Sequence, residues 1–179
     1  MKVSVLRLAL TLLLITSVTA AALAGVNALT GPVIAQRTRE QTQAAIQAVL
    51  PGGSDREITD FTDETGLVQR IYAGKQGYAF EVTPKGFDSA VTMMVGIDNQ
   101  GKVLGVDIIS HTETAGLGAV AAADTPAGNA FRQQFSGADE SVMVTKDGGS
   151  VDALTGATVT SRAICTGVNA ALACAAGLP

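Results

Sequence analysis

Thr92-Met-Met-Val-Gly-Ile-Asp-Asn-Gln-Gly-Lys-Val-Leu-Gly-Val-Asp-Ile-Ile109 is the stretch that sets the fold class. Its two apolar runs, Thr92–Ile97 and Val103–Ile109, flank Asp98-Asn99-Gln100-Gly101, a turn sequence that favours an antiparallel hairpin. Upstream lie three further segments of strand character, Ile58–Phe61, Leu67–Tyr72 and Tyr78–Val82, separated by Gly, Asp and Pro signals. Downstream, Asn129–Phe135 reads as a short helix and Val142–Thr145 as another strand. A helical stretch precedes the strands, with Val33, Ile34, Ala45, Ile46, Val49 and Leu50 among its apolar residues, and Pro51-Gly52-Gly53 stops it. At the other end, Ile164, Val168, Ala171 and Leu172 fall on one helical face. Strands in succession with helices at the ends predict an α+β domain with antiparallel strands and flanking helices.

Composition adds a membrane segment. Only 16% of the 179 residues are charged, against a usual quarter, while 47% are hydrophobic. The deficit is concentrated near the N-terminus. No charged residue occurs from Leu8 to Ala35, and Leu8–Leu29 is nearly all apolar, longer than the roughly 20 residues needed to cross a bilayer. Thr30-Gly31-Pro32 is expected to interrupt that run. Lys2 and Arg7 before it place the N-terminus in the cytoplasm and the bulk of the chain outside, while Arg37 and Arg39 behind it weaken that rule. Ala22-Leu23-Ala24 offers a signal-peptidase-like site, but the apolar run continues past it, which favours an uncleaved anchor. The expected division is residues 1–31 as cytoplasmic tip and transmembrane anchor, 32–53 as a connecting helix and 54–179 as the domain. A net charge of −4, no Trp and no basic stripe argue against a nucleic-acid partner.

The chemistry is concentrated in Asp152-Ala-Leu-Thr-Gly-Ala-Thr-Val-Thr-Ser-Arg162. Thr155, Thr158, Thr160 and Ser161 carry hydroxyls, and Gly156 permits a tight turn. Thr160 or Ser161 is the natural N-cap of the helix that follows. Hydroxyls at a helix start serve either as turn and cap or as an anion site fed by free N–H groups and the helix dipole. The spacing Asp152-x-x-Thr155-Gly156-Ala157-Thr158 resembles the Asp-x-x-Ser/Thr-Gly-Ala-Thr signature of the FMN-binding domain family, in which FMN is carried covalently. The resemblance implies that Thr158 joins the flavin phosphate as a phosphoester. Asp152, Thr155 and Gly156 would form part of a recognition sequence, with Ala157, Thr160 and Ser161 beside them at the cofactor.

A second motif supports the first. Ser110-His-Thr-Glu-Thr-Ala-Gly-Leu-Gly118 follows the second hairpin strand and resembles the His-x-Glu-Thr-Pro-Gly-Leu-Gly loop of the same family, with Ala115 in place of the usual proline. Losing that proline leaves the loop less pre-organised but removes no side chain that chemistry requires. Glu113, Thr114, Gly116, Leu117 and Gly118 become cofactor-binding positions by this resemblance. Within the family the chain is most similar to the G subunits of Rnf-type ion-translocating electron-transport complexes. The C subunits of sodium-translocating NADH:quinone reductases share both motifs and tend to be longer.

The resemblance implies an electron-relay subunit, single-pass in the cytoplasmic (inner) membrane with its domain on the periplasmic face. Its partners would be the integral and peripheral subunits of such a complex. It would have no catalytic residue of its own and would not be a complete enzyme. A stand-alone membrane-anchored flavin reductase is the alternative, as is the related reductase C subunit. Thr158 is a poor nucleophile unassisted, and no His or Cys lies in the signature to act as its base, so a separate flavin transferase is expected to attach the FMN. His111, the only histidine, lacks the further ligands a metal needs and is expected to order its loop by a hydrogen bond. Cys165 and Cys174 fall on opposite faces of one helix and are expected to be unbridged, buried and apolar in role. Lys146 is expected to be a solvated turn lysine rather than a ligand to phosphate.

Overall fold

The computed structural model describes residues 5–178, so Lys2, one of the two leading cations, lies outside the described residues. The chain divides into two compact units, Met1–Glu40 and Gln41–Pro179. Helix α1 spans Val5–Val49, with Pro32 inside it. The helix runs on through Thr30-Gly31-Pro32, where the apolar run is interrupted. A proline removes one ladder bond and strains the turn before it, and a helix this long absorbs that cost. Within Met1–Glu40 the helix is exposed all round, Leu14 and Leu23 being 67% and 71% accessible. The hydroxyls of Thr11, Thr16 and Thr19 donate to carbonyls one turn back, so these polar groups are satisfied within the helix. This is the one helix among the described residues long and apolar enough to cross a membrane.

The second unit is built on a five-stranded antiparallel meander, β1 (Arg56–Ile58), β2 (Val68–Gly74), β3 (Gly77–Val82), β4 (Thr92–Asp98) and β5 (Val103–Ser110), in that spatial order. The β4–β5 hairpin forms at the predicted place, because the Asp98 carboxylate accepts from the N–H groups of Gln100 and Lys102 and fixes the turn. The first strand ends at Ile58 rather than Phe61; Ile58 pairs with Ile71, and Phe61 packs on the core from a loop. Val142–Thr145 is not a strand. Val144 makes a single parallel bridge to Val151, and Val142 exchanges both backbone bonds with the Asn169 side chain instead of a neighbouring strand. Helix α2, Pro126–Gln133, starts ahead of the expected Asn129 and ends short of Phe135. Thr125 caps it by accepting from the Gly128 N–H, and Pro126 occupies its first turn.

Alternation on β3 and β4 sends side chains to two cores. Phe80, Val82, Met93, Val95 and Ile97 pack with Phe131, Phe135, Ile164, Val168 and Ala171 from α2 and helix α3 (Thr158–Ala175). Ala79 and Met94, on the opposite face, pack with Ala45, Ile46 and Val49 from the last turns of α1 and with Leu50 just after it. The α1 backbone comes so near the sheet that a Cβ on Gly96 would strike the Val49 carbonyl. With both faces covered, β4 is buried from Met93 to Ile97. This sandwich holds the loop after β5 against the N-terminus of α3.

Candidate functional site

Glu113 is the centre of that junction. It is 7% exposed, and its Oε1 accepts from the backbone N–H groups of Phe87 (3.0 Å) and Asp88 (3.1 Å). Its Oε2 accepts from the Thr160 hydroxyl on α3. Three segments distant in sequence thus meet on one carboxylate. Burial alone pushes the Glu113 pKa up, but the hydrogen bonds from Thr160 and from the backbone of the 87–89 loop outweigh it and hold the group below the ordinary carboxylate value. His111 Nδ1 accepts the Glu113 N–H at 3.2 Å, a loop-ordering bond. The loop then closes on Thr114, whose carbonyl accepts from Leu117 and Ala119. Gly118 packs where a Cβ would run into both Thr160 Oγ1 and Glu113 Oε2.

The start of α3 differs from the expected cap. The helix begins at Thr158 with Ala157 as its uncapped N-cap residue, so Thr160 and Ser161 lie inside the first turn. Both are buried and already engaged. Thr160 donates to Glu113, while Ser161 Oγ accepts from the Leu154 N–H and donates to the Ala157 carbonyl, each at 3.0 Å. Ser161 therefore fastens the signature loop to the helix. Gly156 turns that loop with φ +74°, a conformation that other residues seldom adopt. Thr158, the first helical residue, keeps its hydroxyl half-exposed and accepts from Lys146 Nζ at 3.2 Å. Among the described residues, no acceptor is found for the first-turn N–H groups of Thr158, Val159 and Thr160. Lys146 is exposed on a turn, as expected, and also touches the signature. Lys146 rides on a short 3₁₀ turn, Thr145–Asp147, that Asp147 fastens to α3 through a two-pronged pair with Arg162, both bonds 2.6 Å.

Between these parts lies a cleft of about 290 Å³. Eight residues singled out in the sequence line it: Glu113, Thr114, Leu117 and Gly118 from the loop, and Gly156, Ala157, Thr158 and Thr160 from the signature. The other four do not. Asp152 is exposed, and its backbone N–H and C=O are clasped by the Gln134 side chain at 2.7 and 3.2 Å. Thr155 and Gly116 are exposed, and Ser161 is buried outside the lining. Phe87, Val159 and Lys146 complete the lining. Phe87 was not foreseen; its one signal was an aromatic in the polar loop Lys85-Gly-Phe-Asp-Ser89, and it stands 68% exposed. A cleft with one cation, free helix N–H groups and a hydroxyl at one side, and Phe87, Leu117 and Val159 for an apolar ring, suits a phosphorylated, flat, partly apolar cofactor such as FMN.

Elsewhere, among the described residues, no three His, Cys, Asp or Glu side chains gather in a metal-binding group. Cys165 and Cys174 are both buried and unbridged, and burial pushes the Cys165 thiol up to about 11. A thiol so raised stays protonated and unreactive at neutral pH.

Comparison with known proteins agrees with this chemistry. The profile of the FMN-binding domain matches residues 86–173, and that of the RnfG N-terminal region matches residues 1–49. The chain is 32% identical to the G subunit of the Na(+)-translocating ferredoxin:NAD(+) oxidoreductase complex of Acetobacterium woodii, covering 92% of this chain and 88% of that protein. It is 34% identical to the G subunit of the ion-translocating oxidoreductase complex of Pseudomonas aeruginosa, over 94% and 87% of the two chains. A third relative, the G subunit of the proton-translocating ferredoxin:NAD(+) oxidoreductase complex of Clostridium ljungdahlii, is 34% identical over 84% and 80%. The two motifs, the apolar N-terminal helix and these full-length similarities agree: the chain belongs to the family of G subunits of ion-translocating oxidoreductase complexes, with an FMN-binding domain.

Proposed function

We propose that this protein is the electron-relay subunit of an ion-translocating oxidoreductase complex and carries FMN on Thr158 as a phosphoester. The observation that carries this reading is the Thr158 hydroxyl, presented by the first residue of α3 at the edge of the cleft inside the FMN-binding match. The flavin, once attached, supplies the redox chemistry by accepting and passing on one or two electrons. The chain's own residues bind and orient it. Thr158 tethers the phosphate, and Phe87, Leu117 and Val159 offer an apolar bed for the ring. Glu113 and Thr160 lock the two walls of the cleft together. A phosphoester prevents loss of a cofactor that a domain on the periplasmic side could not replace from the cytoplasm.

Attachment needs help from outside the chain. Thr158 Oγ1 has no base beside it, Lys146 being a cation, so a flavin transferase is assigned both the deprotonation and the supply of FMN. Hydroxide is a poor leaving group, so the donor is an activated anhydride of FMN. The Thr158 Oγ–P bond forms, the P–O bond to the donor's leaving group breaks, and the hydroxyl proton passes to the transferase. Asp152 and Thr155, exposed and outside the cleft, are assigned to transferase recognition. In this reading α1 crosses the cytoplasmic membrane once, with Arg7 on the inner side. The test is intact mass on the full chain produced with and without a flavin transferase. The wild type gains one FMN less one water, and Thr158→Ala gains nothing while keeping its thermal unfolding. Covalent flavin on Thr158→Ala would remove Thr158 from this role.

A further inference from the structure

We infer that Lys146 is the positioning cation for the phosphate of the flavin site, an inference that rests on Thr158 being the attachment point. Lys146 Nζ lies 3.2 Å from Thr158 Oγ1, and no other acceptor for it is found among the described residues, so two of its three protons are uncommitted. It is the one cation in the cleft lining. Arg162, the nearest alternative in the signature, is already bonded twice to Asp147.

The contact is built into the backbone. A lysine side chain is flexible, and holding one in place costs side-chain entropy. Here the turn beneath it is fixed on two sides. The Thr145 and Asp147 N–H groups donate to the carbonyls of Val151 and Val144, each at 2.8 Å, and the Asp147 carboxylate grips α3 through Arg162. The turn carrying Lys146 and the helix carrying Thr158 are therefore one piece.

The esterified phosphate would keep one negative charge, shared by two non-bridging oxygens one phosphorus atom from Oγ1. An ammonium already touching Oγ1 reaches those oxygens without changing its turn. It neutralises charge that builds up as the Oγ–P bond forms and afterwards fixes the phosphodiester against α3. Charge-assisted bonds of this kind are about twice as strong as neutral ones, whereas a solvated turn lysine would contribute to neither stage.

Three variants of the full chain test this: Lys146→Gln, Lys146→Glu and Lys146→Arg, each incubated with the transferase and followed by intact mass. Lys146 is exposed, so all three should keep the wild-type melting temperature. Lys146→Gln should slow FMN incorporation by about tenfold, Lys146→Glu by more, and Lys146→Arg should stay within about threefold of wild type. In the loaded proteins the phosphorus-31 NMR resonance of the phosphodiester should move in Lys146→Gln and return toward the wild-type position in Lys146→Arg. Wild-type loading rates in Lys146→Gln, with an unmoved resonance, would overturn the assignment. Slow loading with an unmoved resonance would overturn it too, by placing Lys146 against the transferase rather than the phosphate. If the wild type takes up no flavin, the Thr158 reading itself fails, which is a separate result from either.

Discussion

Glu113 is, among the described residues, the buried charged side chain, and hydrogen bonds from Phe87, Asp88 and Thr160 converge on it. Truncation to alanine strands two backbone donors and a hydroxyl away from water. Each buried unpaired group costs about 1–3 kcal/mol, so Glu113→Ala should lose roughly 3 kcal/mol or more of stability, read by chemical denaturation. Glu113→Gln keeps the shape and one accepting oxygen and should lose less. The sign of the pH effect follows from the pKa. The folded carboxyl sits below its ordinary value, so its contribution is complete above the unfolded pKa and is lost as pH falls through the folded one. The melting-temperature gap between wild type and Glu113→Gln should therefore narrow in acid; parallel curves from neutral to acid pH would refute the ionised role. The sequence makes Glu113 visible as an acceptor in a motif. Its partners are not visible, because Phe87 and Asp88 come 26 and 25 residues earlier and Thr160 comes 47 later. The two signature hydroxyls show the same limit. Thr160 and Ser161 look like caps by local rule, but a tertiary partner, Glu113, claims Thr160, and Ser161 bonds back to the Ala157 carbonyl and the Leu154 N–H.

Elements whose signals are local are the ones the sequence discloses. The β4–β5 hairpin needs only its own turn, and Pro51-Gly52-Gly53 ends α1 by backbone chemistry alone. Val142–Thr145 has strand-forming residues but joins no sheet: Asn169 takes the backbone bonds of Val142, and Met143 and Thr145 bond to Val151. How closely elements approach is also hidden until they pack. Gly96 and Gly105 are opposite one another in the hairpin, yet they differ sharply in surroundings. A Cβ on Gly96 meets the Val49 carbonyl and Cβ, whereas nothing lies within 4 Å of one on Gly105. Gly96→Ala must push α1 off the sheet and should cost about 1–3 kcal/mol. Gly105→Ala should be close to neutral. Equal denaturation midpoints for the two variants would mean that α1 does not rest on β4 as described.

At the scale of the whole molecule, the open question is where the independently folding unit begins. The break at Pro51-Gly52-Gly53 suggests a domain starting at residue 54, while compactness divides the chain after Glu40. Energetics separate the two. Residues 41–53 contribute Ala45, Ile46, Val49 and Leu50 to the core over Ala79 and Met94, all 5% exposed or less. Burying each of the three larger side chains stabilises by about 1.5–3 kcal/mol, so their loss removes roughly 5–9 kcal/mol. The total stability of a domain is about 5–15 kcal/mol. A chain beginning at Gln41 should therefore stay soluble without detergent and unfold cooperatively. One beginning at Ser54 should expose the Met94 face and either aggregate or melt far lower. The comparison needs only the two truncated chains, size-exclusion chromatography and a thermal melt. If both behave alike, the last turns of α1 cover the sheet without stabilising it, and the domain starts at the glycines. If only the longer one folds, α1 is part of the flavin domain's core.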